Sequence, residues 1–232
     1  MSFEMDRIRH LGGQPDATWG AMSKQTFTAK VMPIFGLALL VAAVGIYGGI
    51  QVVQAMGMAP LWGAVIAELA LVFTSGMWQR KEGLNKVLFF LYAFLSGMTL
   101  VPLLSFAAMQ GGLVLIGQAL TVTSVTFGGL ALYGMTTKRD FTNIGGYLFI
   151  GVIALIITSL LNAFVFKSGL LGMGISIIGV GVFSAFTIYQ MSMIRREYTD
   201  ADYIGAALGL FISFIGLFTM ILRLFTGGNN DD

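Results

Sequence analysis

The chain has 232 residues, of which 56% are hydrophobic and only 10% are charged, and its formal net charge is +2. Soluble domains carry about 25% charged residues, so this composition predicts an integral membrane protein. The sequence contains no cysteine, which excludes disulfides and thiolate sites, and its single histidine, His10, lies in the polar N-terminal segment. We therefore expect no metal site, no cofactor and no histidine-based catalysis.

Charged residues divide the chain into apolar stretches of about the length that a helix needs to cross ~30 Å of hydrocarbon. The uncharged stretch from Val87 to Thr137 is long enough for two such helices and has a turn signal at Gln110–Gly112. The sequence thus predicts an all-α, polytopic membrane protein with seven transmembrane helices, at about Val31–Val53, Leu61–Trp78, two within Val87–Thr137, Tyr147–Phe166, Leu170–Tyr189 and Tyr203–Leu222.

Basic residues set the predicted orientation. Of the 13 lysines and arginines, all but Lys167 and Arg223 fall before or at the start of span one, or in the loops after spans two, four and six. By the positive-inside rule the N-terminus is cytoplasmic and the C-terminus lies outside. The predicted organisation is a polar cytoplasmic tail at 1–25 without signal-peptide features, a membrane domain at 26–226 and a short C-terminal tail at 227–232.

The last span carries a stripe of small residues. Gly205, Gly209 and Ser213 recur every four residues, and Gly216 follows three later, so all four share one face of a helix. Such a stripe lets neighbouring helix backbones approach closely, and it predicts that the last helix is central to the bundle. The alternative is a chance arrangement on a lipid-facing helix, since glycine is common in membrane helices.

Glu68 is the only acidic residue within any predicted span, and no basic residue lies at a comparable depth to pair with it. One interpretation is a neutral carboxylic acid bonded to a neighbouring helix. The other is a proton- or cation-binding group that lines a pathway, because ionisable groups within membranes usually serve a function. No pair of carboxylates, no nucleophile with a base and no phosphate loop appears, so the sequence does not predict an enzyme.

Three stretches resemble the transmembrane Bax-inhibitor-motif family in its bacterial branch. They are Leu91–Pro102, which looks like the family's third span, Tyr133–Phe141, which looks like its loop after span four, and Leu210–Phe225, which looks like its last span. The resemblance covers the chain from about Lys30 onward. It implies a seven-helix fold, the bacterial inner membrane, and either a pH-sensitive calcium leak or a modulator of stress responses that associates with a membrane protease.

At the family's pH switch this sequence departs from the pattern. The family has two aspartates that share a proton and an arginine that helps to close the pathway; the matching positions here are Gln190, Ser213 and Gln79. We therefore predict a pathway without a titrating switch, and a hydrogen bond between the amides of Gln79 and Gln190 that closes the inner end. The Ser213 hydroxyl is expected to bond a carbonyl of its own helix.

Two functions remain open. The first is a calcium or other cation leak pathway with Glu68 on the path and no pH control. The second is a non-transporting membrane regulator that binds another membrane protein, such as a membrane protease, through its lipid-facing surface and tail. No nucleic-acid partner is expected, because no basic face is present.

Overall fold

The computed structural model describes residues 22–227, apart from the side chains of residues 163 and 164. Most of the predicted N-terminal tail with His10, and all but the first residue of the C-terminal tail, lie outside the described residues. Within them the chain is helical and contains no strand. The main helices are α1 Met32–Met56, α2 Ala59–Phe73, α3 Leu84–Thr99, α4 Val101–Thr136, α5 Gly145–Leu161, α6 Gly169–Arg196 and α7 Tyr203–Gly227. A short segment at Lys24–Val31 precedes α1, and Ser75–Trp78 extends α2.

Local sequence explains where several helices begin and end. Helices α1, α2 and α4 each carry a proline in the first turn, where its missing N–H has no helical partner to lose. Ser168 caps α6 by accepting a hydrogen bond from the backbone N–H of Leu171. Gly57, at φ 75°, ends α1 in a conformation that side chains with a Cβ rarely adopt.

Between residues 22 and 227, five helical segments are long and apolar enough to cross a membrane, which confirms a helical membrane protein. The count differs from the predicted seven for two reasons. The segment Leu84–Thr136 runs for 53 residues but leaves helical geometry at Gly112, at the predicted turn, and α2 has only 15 residues. Leu104 and Ile116, on either side of Gly112, line the same cavity, so the chain folds back on itself there.

Helix α7 is the buried centre of the bundle. Inside the most apolar part of this helix 78% of residues are buried, against 11–39% in the other long apolar segments. Phe211 of α7 packs against an aromatic ring of α3, and Phe214 packs against aromatic rings of α1 and α4. The prediction of a central last helix agrees with this burial.

Helices α1 and α3 cross in backbone contact. A Cβ added at Gly45 would collide with the carbonyl of Phe94, and one added at Gly97 would collide with the carbonyl of Ala42. Each glycine therefore opens the space that the opposite backbone fills, which is how small residues bring membrane helices together.

Two aspartates hold the loops together at one end of the bundle, which we call the basic end. The carboxylate of Asp202 accepts from Nε of Arg80 at 2.7 Å and from the backbone N–H of Thr199 at 3.0 Å. Asp200 accepts from the backbone N–H of Ser23 at 2.8 Å. The loop between α6 and α7 thereby joins the loop after α2 and the segment that leads into α1.

The loop between α4 and α5 reaches the same end. Arg195 donates to the carbonyls of Gly134 and Thr137, at 3.1 and 2.7 Å. Hydrogen bonds from the backbone and hydroxyl of Thr142 hold the pKa of Asp140 below its usual 3.8. A lowered pKa contributes stability that is complete above the ordinary value and is lost only as pH falls through the folded value. The Asp140 contribution therefore does not change between pH 6 and 8.

We expect Gly45→Ala to destabilise the protein, because the new methyl group would force α1 and α3 apart at a cost of about 1–3 kcal/mol. Gly36→Ala in the same helix is the matched control, since a Cβ there meets nothing within 4 Å. Thermal unfolding in detergent should show a lower midpoint for Gly45→Ala and an unchanged or slightly higher one for Gly36→Ala. Equal midpoints would contradict the close contact.

We expect Asp202→Asn to lower the unfolding midpoint by a few degrees at both pH 6 and pH 8, because it removes the charge that binds Arg80 and the Thr199 turn. The effect is small because Arg80 is 71% exposed and solvent screens the pair. Glu197→Gln, an exposed carboxylate in the same loop, is the control. A lower unfolding midpoint at only one of the two pH values would contradict the expectation that the contacts of Asp202 with Arg80 and Thr199 do not depend on pH in this range.

Candidate functional site

Glu68 lies on the face of α2 that also carries Val65, Leu69 and Val72, with spacings that align on a helix. Its carboxylate Oε2 accepts a hydrogen bond from the hydroxyl of Thr99 at 2.9 Å. The acid is therefore partly satisfied by a neighbouring helix, as the first interpretation of the sequence requires.

Helix α3 surrounds this carboxyl group with hydroxyls. Tyr92, Ser96 and Thr99 fall on one face of α3, and the hydroxyls of Tyr92 and Ser96 also interact with Glu68. Tyr92 and Ser96 are buried. Three neutral hydroxyls can support either the protonated acid or the carboxylate.

Glu68 also faces a cavity of about 370 Å³ between α2, α3, α5, α6 and α7. Most of its wall is aliphatic. The polar side chains that line it are Glu68, Tyr92, Thr99, Ser159, Thr219 and Arg223. The cavity therefore combines apolar walls with a few convergent polar groups, the usual composition of a small-molecule or ion site.

The structure corrects one expectation about this site. Arg223 near the end of α7 lines the same cavity as Glu68, so a basic residue does reach the space that the acid faces. Side chains of a helix tilt toward its N-terminus, which brings the guanidinium back from the helix end into the bundle. Its Nη1 donates to the hydroxyl of Ser159 at 3.2 Å, and no ion pair joins it to Glu68 within the described chain.

An aromatic cluster closes the cavity toward the basic end. The ring of Phe211 on α7 packs edge-on against Tyr92 at 5.8 Å and Phe89 at 6.0 Å between centroids. Phe89 and Phe211 are fully buried. We call these three residues the aromatic floor, because they separate the cavity from the residues that follow below.

Beyond the aromatic floor, the side-chain amides of Gln79 and Gln190 occupy the spaces that two glycines leave on the surface of α7. The Oε1 atom of Gln79 lies 2.7 Å from where a Cβ of Gly205 would be, and the amide of Gln190 fills the corresponding space at Gly209. Ser213 is fully buried and donates to the carbonyl of Gly209 at 2.8 Å. The third glycine of the stripe, Gly216, receives the ring of Phe183 from α6 in the same way.

The predicted hydrogen bond between the two amides is not formed. Oε1 of Gln190 is buried without a hydrogen-bond partner, and the described residues include no bond from either side-chain amide to the other. The amides instead occupy glycines one helical turn apart, so each packs against α7 rather than against the other. The structure closes this region by packing, and the inference of an amide–amide bond was wrong.

The sequence identified Glu68 as a candidate site residue but not the polar side chains around it. Thr99 and Ser159 are ordinary hydroxyls in apolar helices and give no signal of their own. Arg223 did carry a signal, because it is one of only two basic residues on the predicted outer side. No group of three or more histidine, cysteine or acidic side chains that could hold a metal ion occurs between residues 22 and 227.

The comparisons with known proteins agree with the motifs. The family model described as inhibitor of apoptosis-promoting Bax1 matches residues 24–231. An uncharacterized protein of Campylobacter jejuni is 35% identical over 209 residues, which cover 88% of this chain and 89% of that protein. The inner membrane protein YbhL of Escherichia coli is 36% identical over 177 residues, which cover 71% of this chain and 74% of that protein. The chain therefore belongs to the Bax inhibitor family of membrane proteins.

Proposed function

We propose that this protein is a leak pathway for a cation, with calcium the first candidate, in a closed conformation. The observation that carries the proposal is the position of Glu68 on a cavity that ends at the aromatic floor. A carboxylate at the bottom of a cavity attracts cations, while the packed layer below prevents them from passing.

The proposed topology has seven transmembrane helices, with the N-terminus in the cytoplasm and the C-terminus outside the inner membrane. The meeting of four segments at the basic end supports it, because each even-numbered span must then return to the side where span one begins. The name of the Escherichia coli relative supports an inner-membrane location. In this orientation the Glu68 cavity belongs to the outer half of the bundle.

Calcium prefers six to eight oxygen ligands. The cavity offers one carboxylate, on Glu68, and the hydroxyls of Thr99, Ser159 and Thr219 as neutral ligands, with water to complete the shell. Such a site binds weakly, and weak binding suits conduction because the ion must also leave. The positive charge of Arg223 in the same cavity opposes cation entry and favours a slow leak.

The three positions that match the family's pH switch carry no titratable side chain. Gln79, Gln190 and Ser213 are neutral at every physiological pH, so protonation does not alter the packing that closes this region. Opening requires α7 to release the two amides from Gly205 and Gly209. We infer that pH between 6 and 8 does not control the opening.

The second function, a non-transporting regulator, is favoured by the same packed inner half. If the amides of Gln79 and Gln190 never separate from Gly205 and Gly209, the protein would act only through contacts with another membrane protein, such as a membrane protease. The flux experiment below separates the two.

We expect calcium flux into proteoliposomes to be equal at pH 6, 7 and 8. The proteoliposomes are prepared without phosphatidylethanolamine, so that the lipid considered in the next subsection cannot occupy the Glu68 cavity. Glu68→Gln should lower it about tenfold, equivalent to about 1.4 kcal/mol in the barrier, because the attracting charge is lost. Glu82→Gln, an exposed carboxylate after α2, is the matched control and should leave the flux unchanged.

The triple variant Gln79→Arg, Gln190→Asp, Ser213→Asp serves as a positive control and should make flux depend on pH. Absence of wild-type flux together with pH-dependent flux in the triple variant would reject the leak and support the regulator. Wild-type flux that is unaffected by Glu68→Gln would reject the role of the carboxylate.

A further inference from the structure

The Glu68 cavity contains one charged group of each sign, and within residues 22–227 neither has a partner of opposite charge. Glu68 accepts from the hydroxyl of Thr99, and Arg223 donates to the hydroxyl of Ser159. Neutral hydroxyls replace only part of the hydration that each charge gives up. The cavity therefore offers an anion site and a cation site in the same apolar space.

The lining of the cavity favours a ligand from the bilayer over a small solute from water. Aliphatic side chains of α2 and α5 line the cavity, and one of them, Leu160, is also 42% exposed on the surface of the protein. The side chains of α2 and α5 meet at Phe73 and Phe149, whose rings pack edge-on at 6.2 Å. Arg223 lies four residues before the end of α7, about 6 Å along the axis, so it is near the end of the bundle opposite the basic end.

The charges select the type of occupant. A simple anion would be attracted by Arg223 but repelled by Glu68, and a simple cation would be attracted by Glu68 but repelled by Arg223, so either would bind only weakly. A zwitterion satisfies both at once. A free amino acid would leave the aliphatic walls without a partner, whereas a lipid fills them with its acyl chains.

We propose that this cavity binds a zwitterionic phospholipid with a primary ammonium group, of the phosphatidylethanolamine class. The phosphate binds the guanidinium of Arg223, which suits its forked donors, and the ammonium donates to the carboxylate of Glu68. The acyl chains leave between α2 and α5 into the bilayer. A quaternary ammonium has no N–H to donate, which distinguishes this lipid from phosphatidylcholine. This site goes beyond cation transport and does not depend on it.

The test is native mass spectrometry of delipidated protein in detergent, with phosphatidylethanolamine and phosphatidylglycerol supplied in equal amounts. Wild type should retain phosphatidylethanolamine about tenfold more than phosphatidylglycerol, because only the former has an ammonium for Glu68. Arg223→Gln should lose the retention of both lipids. Glu68→Gln should shift the preference toward phosphatidylglycerol, since the phosphate site remains and the repelling carboxylate is gone.

Lys167→Gln removes a basic residue from the same predicted outer side without touching the cavity, so it should behave like wild type. The reversal of preference in Glu68→Gln cannot come from misfolding, which would lower the retention of both lipids together. Equal retention of the two lipids by wild type, or a preference that neither variant alters, would overturn the proposal. Because no ion flux is measured, a negative result here leaves the leak pathway to be judged by its own experiment.

Discussion

The small residues of α7 are the constraint on which the rest of the bundle depends. Gly205, Gly209 and Gly216 have no side chains, and the space is occupied by Gln79, which directly follows the extension of α2, and by Gln190 and Phe183 of α6. In a membrane the helices gain little from the hydrophobic effect, so this close fit supplies much of the attraction between them. Because α7 is in contact with its neighbours along the inner half, any opened state must first separate those contacts.

The same helix changes character along its length. Toward the basic end it packs against amides and aromatic rings, whereas from Ile212 to Arg223 one of its faces lines the Glu68 cavity. One half-buried carboxylate and one half-buried guanidinium share that cavity, and no ion pair joins them among residues 22–227. Both charges are costly in an apolar environment, which makes the outer half the part of the molecule most suited to binding a ligand.

Charge placement and hydropathy were sufficient to predict a helical membrane bundle, the glycines at 111 and 112 predicted the turn, and the stripe of small residues predicted the central position of α7. These features follow from the lengths and periods of single segments. The surroundings of Glu68 were not predictable in this way. They depend on how far Arg223 reaches back along α7 and on which face of α3 meets α2, and both are tertiary properties. The absent bond between Gln79 and Gln190 has a similar origin. The two side chains are near each other, but each packs into the space left by a glycine of α7 instead of bonding to the other.

The central claim is that the bundle has an accessible outer cavity and a closed inner half, and cysteine accessibility measures this directly. The chain has no cysteine, so Thr219→Cys in the cavity and Ser213→Cys at a fully buried position of α7 outside the cavity lining each introduce a unique thiol. In phosphatidylethanolamine-free proteoliposomes, labelling by a membrane-impermeant reagent is normalised to Lys167→Cys in a loop, which corrects for mixed orientation. The account predicts ready labelling of Thr219→Cys and none of Ser213→Cys. Comparable labelling of Ser213→Cys, or no labelling of Thr219→Cys, would contradict it.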